Sequence, residues 1–181
     1  MLSKYDEMLC HQTPTTFDHV VDTGDNWREN VWCCAHDRSG QFFLSSHFGV
    51  STNRNVMDAS GLLMVDGKRQ HNLRASRVFR PVTDEVRVGP LSYQIIEGMK
   101  RVTWALEENE QGHSWEVEFE AAMPPQEEIP QFARNRGRVI ESISRYAQTG
   151  RAKGWLKVDG KVHDIRSDEW YAHRDHSSDR I

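Results

Sequence analysis

Apolar and polar residues alternate along most of the chain after Trp27, in short runs separated by turn-forming pairs. The pattern is clearest in His113–Met123, where Trp, Val and Phe alternate with three glutamates. A period of two places one set of side chains on each face of a β-strand, so each run predicts a half-buried strand. Asp66-Gly67 and Asp159-Gly160 are pairs that turn one antiparallel strand into the next. About nine such strands and at most one or two short helices predict a mostly β protein, either an antiparallel barrel or a sandwich.

The first hairpin has a predictable register. It joins Glu29–Asp37 to Gln41–Val50, and with Ser39-Gly40 as the turn, Trp32 faces His47 and His36 faces Phe43. One face then carries Val31, Cys33, Ala35, Leu44 and Phe48. The other face carries Trp32, Cys34, His36, Phe43, Ser45 and His47. One apolar and one mixed aromatic and polar face are typical of a barrel that holds a cavity.

The stretch Arg134–Gly150 is ambiguous in its secondary structure. Val139, Ile140, Ile143 and Tyr146 recur at roughly helical spacing, but the same run is also compatible with a strand. Both interpretations stay open for residues 134–148.

The charge pattern argues against nucleic acid as a partner. The formal net charge is −4, and the 23 Lys and Arg are interleaved with 27 Asp and Glu rather than gathered in a basic stripe. No run of eighteen apolar residues predicts a membrane span. The three cysteines, Cys10, Cys33 and Cys34, do not form a disulfide framework. We therefore expect reduced thiols and a cytoplasmic protein.

The familiar catalytic motifs are missing from the sequence. His173, Asp175 and His176 are close together, but the chain has no H-E-x-x-H and no paired C-x-x-C, so we expect no metal. There is no G-x-S-x-G elbow, and the glycines of the turns do not form a phosphate-binding loop or a dinucleotide fingerprint. We expect no cofactor.

The C-terminal part resembles a known family. The segment "GWLKVDGKVHDIRSDEWYAHRDHS" contains Gly154, Val158-Asp159-Gly160 and Arg174-Asp175-His176-Ser177. These residues resemble the junction of the carotenoid-hydratase-like proteins, also called AttH-like or hydroxyneurosporene-synthase-like. The likeness extends over residues 27–177 and is most specific in about the last 25 of them. It implies a lipocalin-like (calycin) fold, an antiparallel barrel or strongly curved sheet.

The resemblance also implies a chemistry. In those hydratases the Asp of the motif is thought to protonate an isolated alkene, so Asp175 would be the acid, with His173 or His176 as its orienting partner. A low-dielectric cavity would raise the pKa of this carboxyl. Arg174 and the two histidines would instead lower it, and Arg174 with Asp175 could simply belong to an interdomain ion-pair network. A disordered tail is the third interpretation of this terminal segment.

The candidate ligand-binding residues are mostly aromatic, because aromatic faces stabilise a carbocation. They are Trp32, His36, Phe43, His47, Trp155 and Arg174. We expect the ligand to be an apolar small molecule.

The domain prediction follows the family pattern. It has an N-terminal extension (1–26), a lipocalin-like β domain (27–170) and a truncated interdomain junction (171–181). The family carries Trp-Gly where this chain has Ser178-Asp179, and a second barrel normally follows. We favour a truncated product over a reduced single-domain member. A half of a two-domain protein would expose an apolar surface, so a homodimer is a compatible assembly.

Two classes of function follow. The first is an enzyme, a hydratase/lyase or an isomerase of the pericyclase kind, that acts on a polyene or terpenoid-type substrate. The second is a domain that binds a lipophilic ligand or serves as a scaffold without catalysis. An inactive fragment of a two-domain protein is the remaining interpretation.

Overall fold

The computed structural model describes residues 2–8 and 24–180. Within them the fold is almost entirely antiparallel β, and the only helical turns are two short 3-10 helices, Lys4–Glu7 and Thr52–Arg54. None of the helices in these residues is long and apolar enough to cross a bilayer. The strands are β1 Trp27–Asp37, β2 Phe42–Ser51, β3 Val56–Val65, β4 Arg69–Val78, β5 Val86–Val88, β6 Leu91–Glu97, β7 Arg101–Leu106, β8 Ser114–Ala121, β9 Gln126–Glu127, β10 Gln131–Asn135, β11 Arg138–Val158, β12 Lys161–Ile165 and β13 Trp170–Arg180.

The strands form one curved sheet that nearly closes on itself. Its order is β4-β3-β2-β1-β13-β11-β8-β7-β6-β5, and β9, β10 and β12 pair with β11 beside this path. The two edge strands, β4 and β5, meet without a continuous backbone ladder. Arg77 of β4 bridges them, because its Nε donates to the carbonyl oxygen of Arg87 at 2.7 Å. The mostly β fold predicted from the alternation is confirmed, and of the two predicted architectures, barrel or sandwich, the structure has the antiparallel barrel.

The first hairpin has the predicted register. Trp32 pairs with His47 and His36 pairs with Phe43, so the Ser39-Gly40 turn was correctly identified. The predicted apolar face, which carries Val31 and Leu44, is fully buried and points into the barrel. The opposite face lies on the outside of the sheet.

The ambiguous stretch 134–148 is strand. β10 and β11 form a hairpin through Arg136 and Gly137, which both have positive φ values, 49° and 79°. Further along β11, Ser142 to Arg151 also pair with β13. Neighbouring strands satisfy the backbone donors and acceptors of this segment. It is therefore a strand, although its isoleucines recur at helical spacing.

Strand β11 changes partners halfway along its length. On one side it pairs first with β13 and then, from Gly154, with β12, while β8 runs along its other side. Gly154 has φ +141°, and a Cβ there would collide with the carbonyl oxygen of Glu116. Glycine is therefore needed at this bend, because it alone permits both the dihedral and the close approach of β8.

The barrel interior is filled with large apolar side chains. The bulkiest that are fully buried are Trp104, Trp115, Phe48, Phe79 and Phe119. Each contributes about 2–3 kcal/mol by leaving water. Polar side chains among them would cost stability unless they are paired, and such a group occurs at one end of the barrel.

Residues 171–180, which the sequence assigned to a junction, form most of β13. This strand lies in the middle of the sheet, between β1 and β11. The terminal charged segment is therefore a strand of the sheet up to Arg180 rather than a disordered tail, and its assignment to an interdomain junction stays a prediction.

Candidate functional site

A group of buried polar residues lies at one end of the barrel. We call it the polar cluster, and its members are Glu29, Tyr93, Tyr146, Gln148, Arg174 and His176. They project inward from β1, β6, β11 and β13, and the β6–β7 turn at Met99 closes over them. Buried polar groups are informative because burial is costly unless every group is paired.

The pleat of β13 divides the charged motif between two faces. Arg174 and His176 pair with Cys33 and Val31 of β1 and are buried with them. The alternate residues His173 and Asp175 point to the outside. The structure therefore brings Arg174 and His176 together and separates both from Asp175.

Arg174 is anchored from behind by Gln148. Its Nε and Nη2 donate to Gln148 Oε1 at 3.1 and 2.7 Å. The Gln148 amide nitrogen in turn donates to the carbonyl oxygens of Met99 and Met123, at 2.9 and 3.0 Å. The guanidinium is thus fixed in one orientation, with its remaining N–H groups aimed at the barrel end.

Those N–H groups hold the carboxylate of Glu7. Arg174 Nη1 donates to Oε1, and Nη2 donates to Oε2 at 2.7 Å. The two side chains are 1% and 0% exposed. Burial alone would raise the pKa of Glu7, but the hydrogen bonds and charge of Arg174 outweigh it and lower this pKa. Glu7 is therefore an ionised carboxylate inside the barrel.

A second buried pair lies beside the first. His176 Nε2 is 2.7 Å from Glu29 Oε2, and its Nδ1 is 3.4 Å from the hydroxyl of Tyr146. Burial opposes the charge on His176, but the hydrogen bond and charge of Glu29 raise its pKa above the ordinary value. An imidazolium donates from both nitrogens, so it fits Glu29 on one side and the Tyr146 oxygen on the other.

A small cavity opens at the edge of the polar cluster. Its volume is about 70 Å³, and Tyr146 and His176 line it together with Leu2, Asp6 and Pro130. A water or a small group placed there would contact the hydrogen-bonded face of His176.

The His176–Glu29 pair predicts a pH dependence of stability. Because the pKa of His176 is raised in the folded protein, its contribution is fully present below the ordinary pKa of about 6.5 and is lost as the pH rises through the raised value. We expect the free energy of unfolding in urea to fall as the pH rises above about 6.5, with a slope of at most about 1.4 kcal/mol per pH unit. His176→Gln should show a smaller fall, and an identical fall in both proteins would contradict the prediction.

Asp175 lies on the outer face of the sheet and is half-buried. It pairs with Trp32 and Ala147 across the neighbouring strands. Burial is the main reason that its pKa is raised. The lowering expected from Arg174 is wrong, because Arg174 points to the other side of β13 and binds Glu7. An ion pair between Arg174 and Asp175 is excluded by the same geometry. The catalytic role of Asp175 remains a prediction.

The other predicted site residues also lie on the outer face. His173 stacks on His36 at 5.9 Å between ring centroids, and its Nδ1 is 3.2 Å from Thr149 Oγ1. His47 is 3.3 Å from Asn30 Oδ1. Phe43 shares this outer face. Trp155 alternates with the fully buried Leu156, so it too points outward. Arg174 alone among the predicted ligand-binding residues reaches the interior.

The sequence reasoning missed most of the polar cluster. One signal was available, since Glu29 lies two positions before Val31 on the apolar face of β1, where an acid is unexpected. Nothing local marked Glu7, which is joined to Arg174 only through the fold. Within the described parts of the chain, no three His, Cys, Asp or Glu side chains are grouped as a metal site would need.

Comparisons with known proteins define the family and the fold. The sequence model of a family of unknown function (DUF8625) matches residues 2–179. A search of curated proteins found no match. Among solved structures, kievitone hydratase from Nectria haematococca is similar, with a TM-score of 0.62 at 10% identity. The match covers 84% of this chain and 48% of that one, so the chain spans about half the length of the hydratase. This likeness confirms the lipocalin-like fold class.

Proposed function

We propose that this chain, which belongs to that family of unknown function, binds a mainly apolar small molecule at the end of the barrel where the polar cluster lies. The observation that carries the proposal is the polar cluster itself. A barrel filled with aromatic and aliphatic side chains places Arg174 and His176 where they are almost fully buried. An apolar pocket with a few convergent polar groups is the usual form of a small-molecule site.

We further propose that the site performs a hydratase-type reaction, the addition of water across a carbon–carbon double bond. His176 would donate its Nδ1 proton to one carbon, and water would add its oxygen to the other. Among the described residues, Glu29 Oε1 has no hydrogen-bond partner, so this oxygen is free to accept the proton that the water loses. Atoms and charge then balance, since one water molecule is consumed and each group can exchange its proton with solvent.

Two further observations support this assignment. The pKa of His176 is raised, so the imidazolium form that a proton donor needs persists to higher pH. A solved hydratase also has the same fold, although at 10% identity this supports the fold rather than the substrate. An acid of this strength suits an alkene that is conjugated to an oxygen-bearing group better than an isolated alkene.

The test is incubation of the protein in ¹⁸O-labelled water with kievitone, and separately with a polyene and a terpenoid alkene. Mass spectrometry should detect a product that has gained one labelled water. We expect His176→Gln to lose about 100-fold in turnover, whereas His163→Gln, a histidine substitution on β12, should retain wild-type turnover. Equal turnover in the wild type and His176→Gln would exclude His176 as the acid.

Asp175 is the alternative candidate for the acid. Burial raises its pKa, as a carboxylic acid that protonates an alkene would require. If Asp175→Asn abolishes turnover while His176→Gln leaves it intact, the chemistry takes place on the outer face of β13. If no alkene is consumed but apolar molecules still bind, the protein is a binding domain without catalysis.

A further inference from the structure

The barrel builds a complete receptor for one carboxylate. The Glu7 carboxylate accepts five hydrogen bonds: two from Arg174, one each from the hydroxyls of Tyr93 and Tyr146 at 3.1 Å, and one from the backbone N–H of Met99 at 2.8 Å. These donors come from β13, β6, β11 and the β6–β7 turn. The planar fork of a guanidinium matches the two oxygens of a carboxylate.

The carboxylate itself comes from outside the sheet. Glu7 ends the short 3-10 helix Lys4–Glu7, whose first turn is closed by a capping box between Ser3 and Asp6. No strand ladder holds this segment, because it pairs with none of the strands described. It rests instead against the β6–β7 turn, where the Lys4 carbonyl oxygen lies 2.7 Å from the position of a Cβ on Gly98. Five hydrogen bonds between the barrel and this segment therefore converge on a single side chain.

From this geometry we infer that residues 2–8 occupy a carboxylate-binding site, and that the ligand of the barrel is a mainly apolar molecule with one carboxylate, which displaces Glu7. The inference rests on the proposed small-molecule function and specifies its substrate class. The cavity of about 70 Å³ lies directly beside the segment, with Leu2 and Asp6 in its wall. Release of the segment would join this cavity to the space that Glu7 leaves at Arg174.

The energetics favour an anionic ligand over a neutral one. A carboxylate that replaces Glu7 restores the same hydrogen bonds, whereas a neutral ligand would leave the buried Arg174 charge without a counterion. Aromatic side chains adjoin the guanidinium, which lies 5.1 Å from the ring of Phe119 and 5.7 Å from that of Tyr146. An apolar body attached to the carboxylate would therefore contact aromatic faces. Glu7 competes as part of the same chain, at a high effective concentration.

The test compares two aromatic probes of nearly equal size, 2-naphthoate and the neutral 2-naphthalenemethanol, by calorimetry with the full chain. We expect the wild type to bind naphthoate weakly and Glu7→Gln to bind it at least about ten-fold more tightly. Glu107→Gln, at an exposed carboxylate, should behave as the wild type. Arg174→Met should lose the preference for naphthoate over the alcohol. In the wild type, saturating naphthoate should also speed tryptic cleavage after Lys4, and the alcohol should not.

Each other result overturns the inference in a distinct way. If both probes bind Glu7→Gln equally and Arg174→Met changes nothing, apolar binding stands and the carboxylate assignment falls. If neither probe binds any variant, the proposed binding site falls with it. Circular dichroism of each variant shows whether the sheet is retained, and a rise of the melting temperature of Glu7→Gln with naphthoate, but not with the alcohol, supports the inference even where the fold is weakened.

Discussion

Gly154→Ala is expected to lower the free energy of unfolding by about 4 kcal/mol. The residue has φ +141°, which side-chain-bearing residues rarely adopt, and this dihedral costs about 1–3 kcal/mol. The new methyl group would also collide with the Glu116 carbonyl oxygen on β8, and overpacking of this kind costs a further 1–3 kcal/mol or so. Neither strand can move away, because β11 also pairs with β12 and β8 also pairs with β7 at this position. Urea unfolding followed by circular dichroism measures the loss.

Gly40→Ala is the matched control for that prediction. Gly40 also has a positive φ, +76°, but a Cβ there would meet no atom within 4 Å. We expect a loss of about 1 kcal/mol from the backbone dihedral alone. If the two variants lose the same free energy of unfolding, the close approach of β8 to Gly154 contributes nothing to the loss.

Glu7→Gln is expected to lower the free energy of unfolding by about 3 kcal/mol. The substitution removes the counterion of Arg174, whose side chain is 1% exposed, and an uncompensated buried charge costs about 3–5 kcal/mol. Arg174 cannot leave the interior, since β13 is held by β1 on one side and β11 on the other. The remaining bond to Gln148 Oε1 keeps the loss at the lower limit of that range.

Removing the other partner, in Arg174→Met, should lower the free energy of unfolding by less than Glu7→Gln does. In Arg174→Met the unpaired charge is Glu7, and its segment can swing into water because it belongs to no strand ladder. The double variant should be more stable than Glu7→Gln alone, because both charges are then gone. A double-mutant cycle in urea measures this coupling, and additive losses in the two single variants would rule it out.

The fold was predictable because its determinants are local. Period-two alternation identifies each strand, and in the first hairpin the Ser39-Gly40 turn is sufficient to fix the register that pairs Trp32 with His47. The stretch 134–148 was not predictable for the opposite reason. It is a strand because β10 and β13 hydrogen-bond to it, and those partners lie elsewhere in the sequence.

The candidate site was only partly predictable. Arg174 and His176 belong to the motif that the sequence singled out. Successive side chains of a β-strand point to opposite faces, so one position decides whether a residue lies inside or outside the barrel. This alternation puts Asp175 on the opposite face from its neighbours. Glu7, Tyr93 and Tyr146 meet Arg174 only after the sheet has curved, so no spacing in the sequence links them.

The pairing of β1 with β13 has a consequence for biosynthesis. The two strands pair with Trp27 opposite Arg180, and they come from opposite ends of the described sequence. On the ribosome, the edge of β1 that pairs with β13 stays open until β13 emerges, and the apolar face of β1, with Val31, Cys33 and Ala35, stays incompletely covered until then. At a synthesis rate of about 5–20 residues per second this interval lasts many seconds, so a chaperone has time to bind the exposed strand. Contacts so distant along the chain also make folding slow.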